Sequence, residues 1–210
     1  RNLILGGTGA GAKSLLAINV PVVDYAMDAA TAPAKLTVAQ SAPGASDILW
    51  SLSNTTTDFG ELGHVLPTPE HGVMRDGTWV VIVGNGYESA SGKAQLFVIN
   101  AITGALVKKI DTGVGSVGTP NGLGGVRVVR NTNKQIVAAY AGDLVGNMWK
   151  FDLSSATPSD WQVAFGTTGS ARNPLYTTAA VEPITAAPTF ALHPKGGVMV
   201  LFGTGQLHAT

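Results

Sequence analysis

The sequence predicts an all-β fold, specifically a β-propeller of four-stranded antiparallel blades, and two observations support this prediction. First, short apolar runs rich in Val, Ile, Leu and Phe alternate with turn-forming residues, and 27 of the 210 residues are Gly. Runs of this kind are typical of antiparallel strands joined by tight turns. Second, one strand pattern recurs along the chain, and a repeated set of four strands is the signature of a propeller blade.

The repeat begins with an apolar strand that ends in Gly. A Gly-, Ser- or Asn-rich connection follows, and then a second strand that ends in Asn or Asp. The pattern occurs at residues 3–19, 79–100 and 136–152, and in shortened form at residues 198–207. A polar turn precedes each of the last three copies, and further strand-like runs follow the first three. Because a single blade cannot bury both faces alone, stacking of neighbouring blades is expected to form the core.

We therefore assign four blades of one propeller domain to about residues 1–53, 63–113, 122–168 and 183–210. The first lacks its first strand and the fourth lacks its last two strands, so we expect a fragment of a larger propeller. Residues 21–46 and 169–182 are expected to be loops on one rim. Residues 33–40 are the sole helix candidate, and a self-contained β-sandwich is the alternative fold.

Composition excludes several classes of function. The chain has 13 basic and 13 acidic residues, so no net charge draws it to nucleic acid or to an anionic membrane. It contains no Cys, which excludes a disulfide framework, thiolate metal sites and cysteine catalysis. Its apolar runs are much shorter than the roughly 20 residues of a transmembrane helix.

Motifs that could carry chemistry have simpler structural explanations. Residues 7–14 (GTGAGAKS) are similar to a phosphate-binding loop, but a strand follows where that loop needs a helix. The blade repeat explains the same residues as a connection between strands. Asp143 follows a strand-ending Gly and is expected to cap the backbone of its own turn. The four His (His64, His71, His193 and His208) show no spacing typical of a metal site.

Aromatic residues recur in the blades, and a repeated aromatic usually packs between blades. The residues concerned are Trp50, Trp79, Phe97, Trp149, Phe151 and Trp161. We therefore expect them to be structural rather than to bind carbohydrate.

Three segments carry a resemblance to a known family. These are residues 62–110, 139–155 and 184–207, and the strings GNGYES (residues 84–89) and YAGDLVGNMWKFDL (residues 140–153) are its most specific parts. The sequence resembles the C-terminal propeller of the PilC/PilY-type tip-associated adhesins of bacterial type IV pili. Residues 6–20 are similar to the blade that precedes these segments in the same family.

The resemblance implies a non-enzymatic adhesin on the outside of a bacterial cell, at the tip of the type IV pilus. It implies roles in pilus biogenesis and in attachment to surfaces. The implied partners are minor pilins or the pilus tip complex, together with a receptor on a host or abiotic surface.

The resemblance also raises calcium as a cofactor, because family members carry an Asp-rich loop between the first two strands of the blade that contains YAGDL. Here the corresponding turn, residues 130–135, reads RNTNKQ and has no carboxylate. Calcium prefers six to eight oxygen ligands, most of them carboxylates in tight sites. Asn131 and Asn133 are therefore the only candidate ligands, and no cofactor is expected in this segment.

Two other functions stay open. Residues 96–106 (LFVINAITGAL) are also similar to the repeats of quinoprotein (PQQ-type) dehydrogenases, but such a site needs calcium, acidic ligands and a catalytic carboxylate. No such acidic cluster is visible in the sequence. A glycan-binding propeller is the other alternative, since a propeller scaffold by itself implies no single activity.

Overall fold

The computed structural model describes residues 2–20, 24–28, 35–39, 44–166 and 172–205. Within these ranges the secondary structure consists of β-strands and three short 3₁₀ turns, at Gly9–Gly11, Ala45–Asp47 and Pro158–Asp160. No helix in the described part of the chain is long and apolar enough to cross a membrane. The strands pair antiparallel and form a series of small sheets.

The first sheet has three strands in the order β1-β2-β5. Its strands are β1 (Asn2–Gly7), β2 (Ser14–Val20) and β5 (Ile48–Ser53). The chain between β2 and β5 contains a separate hairpin of β3 (Asp24–Asp28) and β4 (Lys35–Ala39).

This hairpin corrects two predictions. Residues 21–46 are not simply a loop, and the helix predicted at residues 33–40 is wrong because β4 occupies most of that stretch. The sequence of β4, KLTVA, alternates polar and apolar residues and includes the β-branched Thr37 and Val38. This alternation and composition suit a strand, and the pairing partner β3 decides the outcome.

The second sheet has four strands in sequence order. They are β6 (Glu70–Val73), β7 (Trp79–Gly84), β8 (Lys93–Asn100) and β9 (Leu106–Gly115). A tight turn joins β6 to β7, in which the Met74 backbone N–H donates to the Thr78 carbonyl oxygen at 2.8 Å. This sheet therefore has the four-stranded antiparallel order expected of one complete blade.

The third sheet is built in the same way and continues into residues that were predicted as loop. Its main strands are β10 (Leu123–Arg130), β11 (Ile136–Asp143), β12 (Asn147–Asp152) and β13 (Gln162–Val163). A two-stranded sheet of β14 (Phe165–Gly166) and β15 (Arg172–Asn173) follows, and then β16 (Tyr176–Thr177).

Because β16 pairs with the start of β12, the prediction of a loop at residues 169–182 is wrong for these strands. A fourth sheet contains β17 (Thr189–Leu192) and β18 (Val198–Leu201). The main strands of each sheet overlap one predicted blade, although β9 ends at Gly115 and β16 lies beyond residue 168. The division of the chain into blades stays a prediction.

The second sheet is buried on both faces, and this fact defines the architecture. Val80 and Ile82 of β7 belong to a core shared with the third sheet. Val81 and Val83, which alternate with them, belong to a core shared with the first sheet. Since successive strand residues point to opposite faces, the sheets must follow one another face to face. This serial stacking is the arrangement of propeller blades, and a two-layer sandwich would bury only one face of each sheet.

Candidate functional site

In the first three repeats, the glycine at the end of the first strand lies at the seam where one sheet meets the next. A Cβ atom on Gly7 would stand 2.7 Å from the Val65 carbonyl oxygen, which leads into the second sheet. A Cβ on Gly84 would stand 2.5 Å from the Gly124 carbonyl oxygen in β10. A Cβ on Gly142 would overlap the side chain of Ile184. The repeated Gly therefore allows the backbone of the next blade to cross directly over the strand end.

Backbone hydrogen bonds join the chain segments at the same seams. The Gly86 N–H donates to Leu123 at 3.0 Å, and the Gly125 N–H donates to Thr185 at 3.0 Å. The Ile184 N–H donates to the carbonyl oxygen of Asp143 at 2.9 Å. The seams are consequently held by directional bonds in addition to apolar packing.

Asn85, the residue after Gly84, is a buried polar node between three chain segments. Its Oδ1 atom accepts hydrogen bonds from the backbone N–H groups of Gln95 at 2.9 Å and Leu123 at 3.1 Å. Its Nδ2 atom donates to the carbonyl oxygens of Lys93 at 2.8 Å and Glu61 at 3.3 Å. The amide needs both its acceptor and its donors here, so a carboxylate could not replace it.

Asp143 holds the corresponding position in the third sheet and is completely buried. Its Oδ1 atom accepts from the backbone N–H groups of Val145 and Asn147, which confirms the predicted capping of its own turn. Its Oδ2 atom accepts from the side chains of Asn121, Asn147 and Trp149 at 2.8–3.0 Å. All five partners are donors, so this site requires an acceptor at both oxygens.

Asn121 links the boundary between the second and third sheets to the hydrogen bonds around Asp143. Its Nδ2 atom donates to Asp143, and its Oδ1 atom accepts from the backbone N–H groups of Gly122 and Leu144, both at 2.9 Å. Sequence reasoning identified Asp143 but missed Asn85 and Asn121. For Asn85 the available signal was the repeated Gly-Asx pair at the strand ends, Gly84-Asn85 and Gly142-Asp143, a pattern to which Asn121 does not belong.

The calcium candidates Asn131 and Asn133 lie in the hairpin between β10 and β11. The Oδ1 atom of Asn131 accepts from the backbone N–H groups of Asn133 and Gln135, both at 3.0 Å. Its Nδ2 atom donates to the Gln135 side chain. The Asn131 amide thus closes its own turn, and the hairpin itself offers no carboxylate.

The charges around this hairpin also disfavour a cation. Arg130 flanks the turn and lies 3.6 Å from Glu70, whose carboxylate also pairs with Arg127 at 2.8 Å. Within the described ranges, no group of three or more His, Cys, Asp or Glu is placed to hold a metal ion. The donor set at residues 130–135 therefore does not fit calcium.

The remaining sequence candidates lie apart from one another. The GTGAGAKS segment is a 3₁₀ turn between β1 and β2, without the helix that a phosphate-binding loop requires. His64 contacts Glu88 at 3.5 Å, His71 lies in β6, and His193 lies in the turn between β17 and β18. His208 lies outside the described residues.

Most of the repeated aromatics pack between sheets as predicted. Trp149, Phe151 and Phe97 are fully buried, and Trp161 is nearly so. Trp50 is buried too, and its Nε1 atom donates to the Ala101 carbonyl oxygen at 3.0 Å. Trp79 departs from the prediction because 55% of its surface is exposed.

The exposed Trp79 borders an apolar groove of about 640 Å³ between the first two sheets. Leu3 and Leu5 of β1 form one wall, while Trp79, Ile102 and Pro69 belong to the second sheet and its connections. No sequence pattern predicts this groove, because it arises where strands of two different repeats meet.

Tyr87 makes the free energy of unfolding depend on pH, and it lies near the boundary between the first and second sheets. Its backbone pairs with His64, and burial raises the pKa of its hydroxyl group to about 12. The folded state thus favours the neutral phenol, whose ordinary pKa is about 10. Its stabilising contribution is present below pH 10 and is lost as the pH rises through about 12.

We expect Tyr87→Phe to reduce the loss of unfolding free energy between pH 10 and pH 12, because phenylalanine cannot ionise. Urea unfolding of the full-length protein at several alkaline pH values measures this loss. Tyr176→Phe is the control, since 53% of that residue is exposed. An equal alkaline loss in wild type and Tyr87→Phe would contradict the assignment.

The sheets stack in series, close-packed glycines lie where they meet, and buried Asn and Asp side chains form hydrogen bonds at these junctions. This arrangement defines the protein as a β-propeller. A family model of the PilY1 beta-propeller domain matches residues 1–209. The chain belongs to this family, which confirms both the resemblance and the fold class.

Individual relatives agree with this assignment. The chain is 33% identical to the type IV pilus biogenesis factor PilY1 of Pseudomonas aeruginosa, with 97% of this chain and 17% of the relative covered. It is 31% identical to a PilY1 homologue of Xylella fastidiosa, with 100% of this chain and 14% of the relative covered. The chain therefore spans less than a fifth of the length of these two relatives.

A solved structure is similar as well. The crystal structure of the Pseudomonas aeruginosa PilY1 C-terminal domain superimposes with a TM-score of 0.75 at 33% sequence identity. The match covers 97% of this chain and 40% of the solved chain.

Proposed function

We propose that this chain is a non-enzymatic propeller segment of a type IV pilus biogenesis factor. The match of the PilY1 propeller family to residues 1–209 carries this proposal, together with relatives that bear the name type IV pilus biogenesis factor. The geometry is consistent with a scaffold. The buried polar groups of Asn85, Asn121 and Asp143 are engaged in holding seams and turns together.

The proposal extends to place and partners. The protein is extracellular, at the tip of the pilus on the bacterial surface, and it supports attachment there. Minor pilins or the tip complex hold it on the pilus, and a host or abiotic surface presents its receptor. Loops on a rigid scaffold are the usual recognition elements, so we assign receptor contact to the rim connections between blades.

A clean deletion of the gene in its source bacterium tests this function. The proposal predicts fewer surface pili and weaker attachment, both restored by the full-length gene in trans. Pili are counted by electron microscopy, and attachment is measured on a surface to which the wild type binds. Normal pilus number in the deletion strain would contradict a biogenesis role, whereas normal attachment with reduced pili would contradict only the adhesin role.

The dehydrogenase alternative has its own test. Dye reduction by the full-length protein supplied with pyrroloquinoline quinone, calcium and an alcohol or sugar would favour it over a scaffold. The glycan-binding alternative predicts instead retention of the protein on a glycan array.

We also propose that the hairpin at residues 130–135 does not bind calcium. Asn133→Ala and Asn131→Ala should both leave the calcium titration of the full-length protein unchanged, because neither amide belongs to a ligand set that fits the ion. Asn131→Ala should nevertheless lower stability by about 1 kcal/mol through the loss of its turn hydrogen bonds. Isothermal titration calorimetry is the measurement. Loss of a calcium-binding step in both variants would overturn the proposal.

A further inference from the structure

The connection between β1 and β2, residues 8–13, is held against the second sheet by polar side chains. The Nζ atom of Lys13 donates a hydrogen bond to the backbone carbonyl oxygen of Glu88 at 2.5 Å. The His64 ring lies between the same two segments. Its Nδ1 atom is 3.2 Å from the Gly9 carbonyl oxygen, and its Nε2 atom is 3.5 Å from the Glu88 carboxylate. The ring therefore bridges the first and second sheets.

The fold fixes the position of this ring. The His64 N–H donates to the Tyr87 carbonyl oxygen at 2.8 Å, and the Tyr87 N–H donates back to the His64 carbonyl oxygen at 3.2 Å. A Cβ atom on Gly86 would overlap the His64 carbonyl group, so the two backbones are in direct contact. The side chain of His64 is only 22% exposed. Its surroundings are thus set by the boundary between the sheets.

Both ring nitrogens of His64 face groups that accept hydrogen bonds and cannot donate them. A carbonyl oxygen has no hydrogen to give, so Nδ1 must be the donor to Gly9, which uses the single hydrogen of a neutral ring. The lone pair on Nε2 of that neutral ring then faces the Glu88 carboxylate, and this contact is repulsive. The imidazolium carries a hydrogen on each nitrogen, so it satisfies both partners at once.

Glu88 occupies a backbone conformation that favours glycine. Its φ is 59°, close to the values of Gly86 and Gly92 in the same loop. An ordinary residue in this left-handed region costs about 1–2 kcal/mol relative to the right-handed one. Strain of this kind points to a use for the side chain. The contact between the Glu88 carboxylate and His64 supplies that use.

The other charged and titratable groups near His64 are engaged elsewhere or stay neutral. The Lys13 ammonium is bonded to the Glu88 carbonyl oxygen, not to the carboxylate. Glu61, on the segment that leads to His64, accepts hydrogen bonds from the backbone and the hydroxyl of a serine in the loop after β7. The Tyr87 hydroxyl stays neutral in this range because burial raises its pKa to about 12. The direct ionic contact of His64 is therefore with Glu88.

We propose that His64, Glu88 and Lys13 form a clasp that fastens residues 8–13 to the second sheet more tightly in mildly acidic surroundings. Histidine side chains change charge between about pH 5 and pH 8. At the alkaline end of this range, the neutral ring keeps its bond to Gly9 but is repelled by the carboxylate. At the acidic end, the imidazolium binds both segments. Because the clasped state holds the proton better than the open state does, the clasp strengthens as the pH falls.

Hydrogen exchange of the purified full-length protein, followed by mass spectrometry and expressed as protection factors, tests this device. The peptide that contains residues 8–13 should gain about threefold in protection between pH 8 and pH 5.5, which is the scale of an exposed ion pair. His64→Gln should abolish the gain because an amide does not ionise. His71→Gln is the matched control, since His71 is an exposed histidine in β6, and it should keep the gain.

Glu88→Gln is a second test that leaves the His64 ring in place. It should remove most of the gain, and about 1 M salt should do the same in wild type, because the Glu88 side chain is 76% exposed and open to screening. Exchange within β8 reports on folding and should be equal in all variants. Equal protection of wild type at both pH values, or the same gain in His64→Gln, would overturn the proposal. These outcomes do not depend on any role in pilus biogenesis.

Discussion

Gly84→Ala should destabilise the propeller by about 3 kcal/mol or more, because the added methyl group has no space at the seam. Its Cβ would stand 2.5 Å from the Gly124 carbonyl oxygen and would overlap the Leu123 carbonyl oxygen. Both neighbours are backbone atoms of β10, so no rotamer change relieves the clash. The third sheet would have to move away from the second, which opens the core that they share.

Pulse proteolysis of the purified full-length protein across a urea series measures this change. Gly118→Ala is the matched control, since a Cβ at that exposed loop position meets no atom within 4 Å. The control should stay within about 0.5 kcal/mol of wild type, as surface substitutions usually do. If Gly84→Ala were as stable as Gly118→Ala, the close approach of the two sheets would be wrong.

Asp143→Ala should cost about 3–5 kcal/mol, because it leaves five hydrogen-bond donors, four of them buried, without their acceptor. Two of these donors are the side chains of Asn121 and Trp149. Asn121 lies at the boundary between the second and third sheets and Trp149 lies in the core, so both regions are bonded to the turn at Asp143. Asp143→Asn should also destabilise the protein, since the NH₂ group of Asn would take the place of Oδ2 and would face the donors that Oδ2 now accepts from. The exchange is not conservative here even though Asn85 occupies the matching position in the second sheet.

The control for this prediction lies in the same sheet. Asp152 is exposed, and among the residues that the structure describes its side chain accepts hydrogen bonds only from Ser154. Asp152→Ala should therefore cost no more than about 1 kcal/mol. The same urea series compares the variants. Equal stability of Asp143→Ala and Asp152→Ala would contradict the account of Asp143 as a buried node.

The sequence was sufficient to predict the strands of the repeat because their apolar runs and glycines are local signals. The strand pairs β7–β8 and β11–β12 follow directly from such runs and their Gly-rich connections. Hairpin β3–β4 was missed because residues 21–46 contain Pro and Ala and show no clear repeat. The pairing of β16 with β12 was missed because a two-residue strand has no periodicity of its own.

The contacts of the candidate site also include some that could be predicted from the sequence and some that could not. The capping role of Asp143 could be predicted, since its partners Val145 and Asn147 are close in sequence. The contact of Asn121 with Asp143 spans 22 residues and depends on how two blades meet. The groove beside Trp79 likewise depends on the meeting of two repeats. Sequence patterns report local structure well, but they do not give the side-chain partners that stacking brings together.

Hydrogen exchange at the seams tests the central claim, the serial stacking of blades, most directly. In the purified full-length protein, the backbone N–H groups of Gly86, Gly125 and Ile184 should exchange as slowly as those within β8, because they are bonded across seams. Exchange at these three positions at the rate of the exposed loop residue Val117, with β8 still protected, would show that the sheets fold without stacking and would contradict the account.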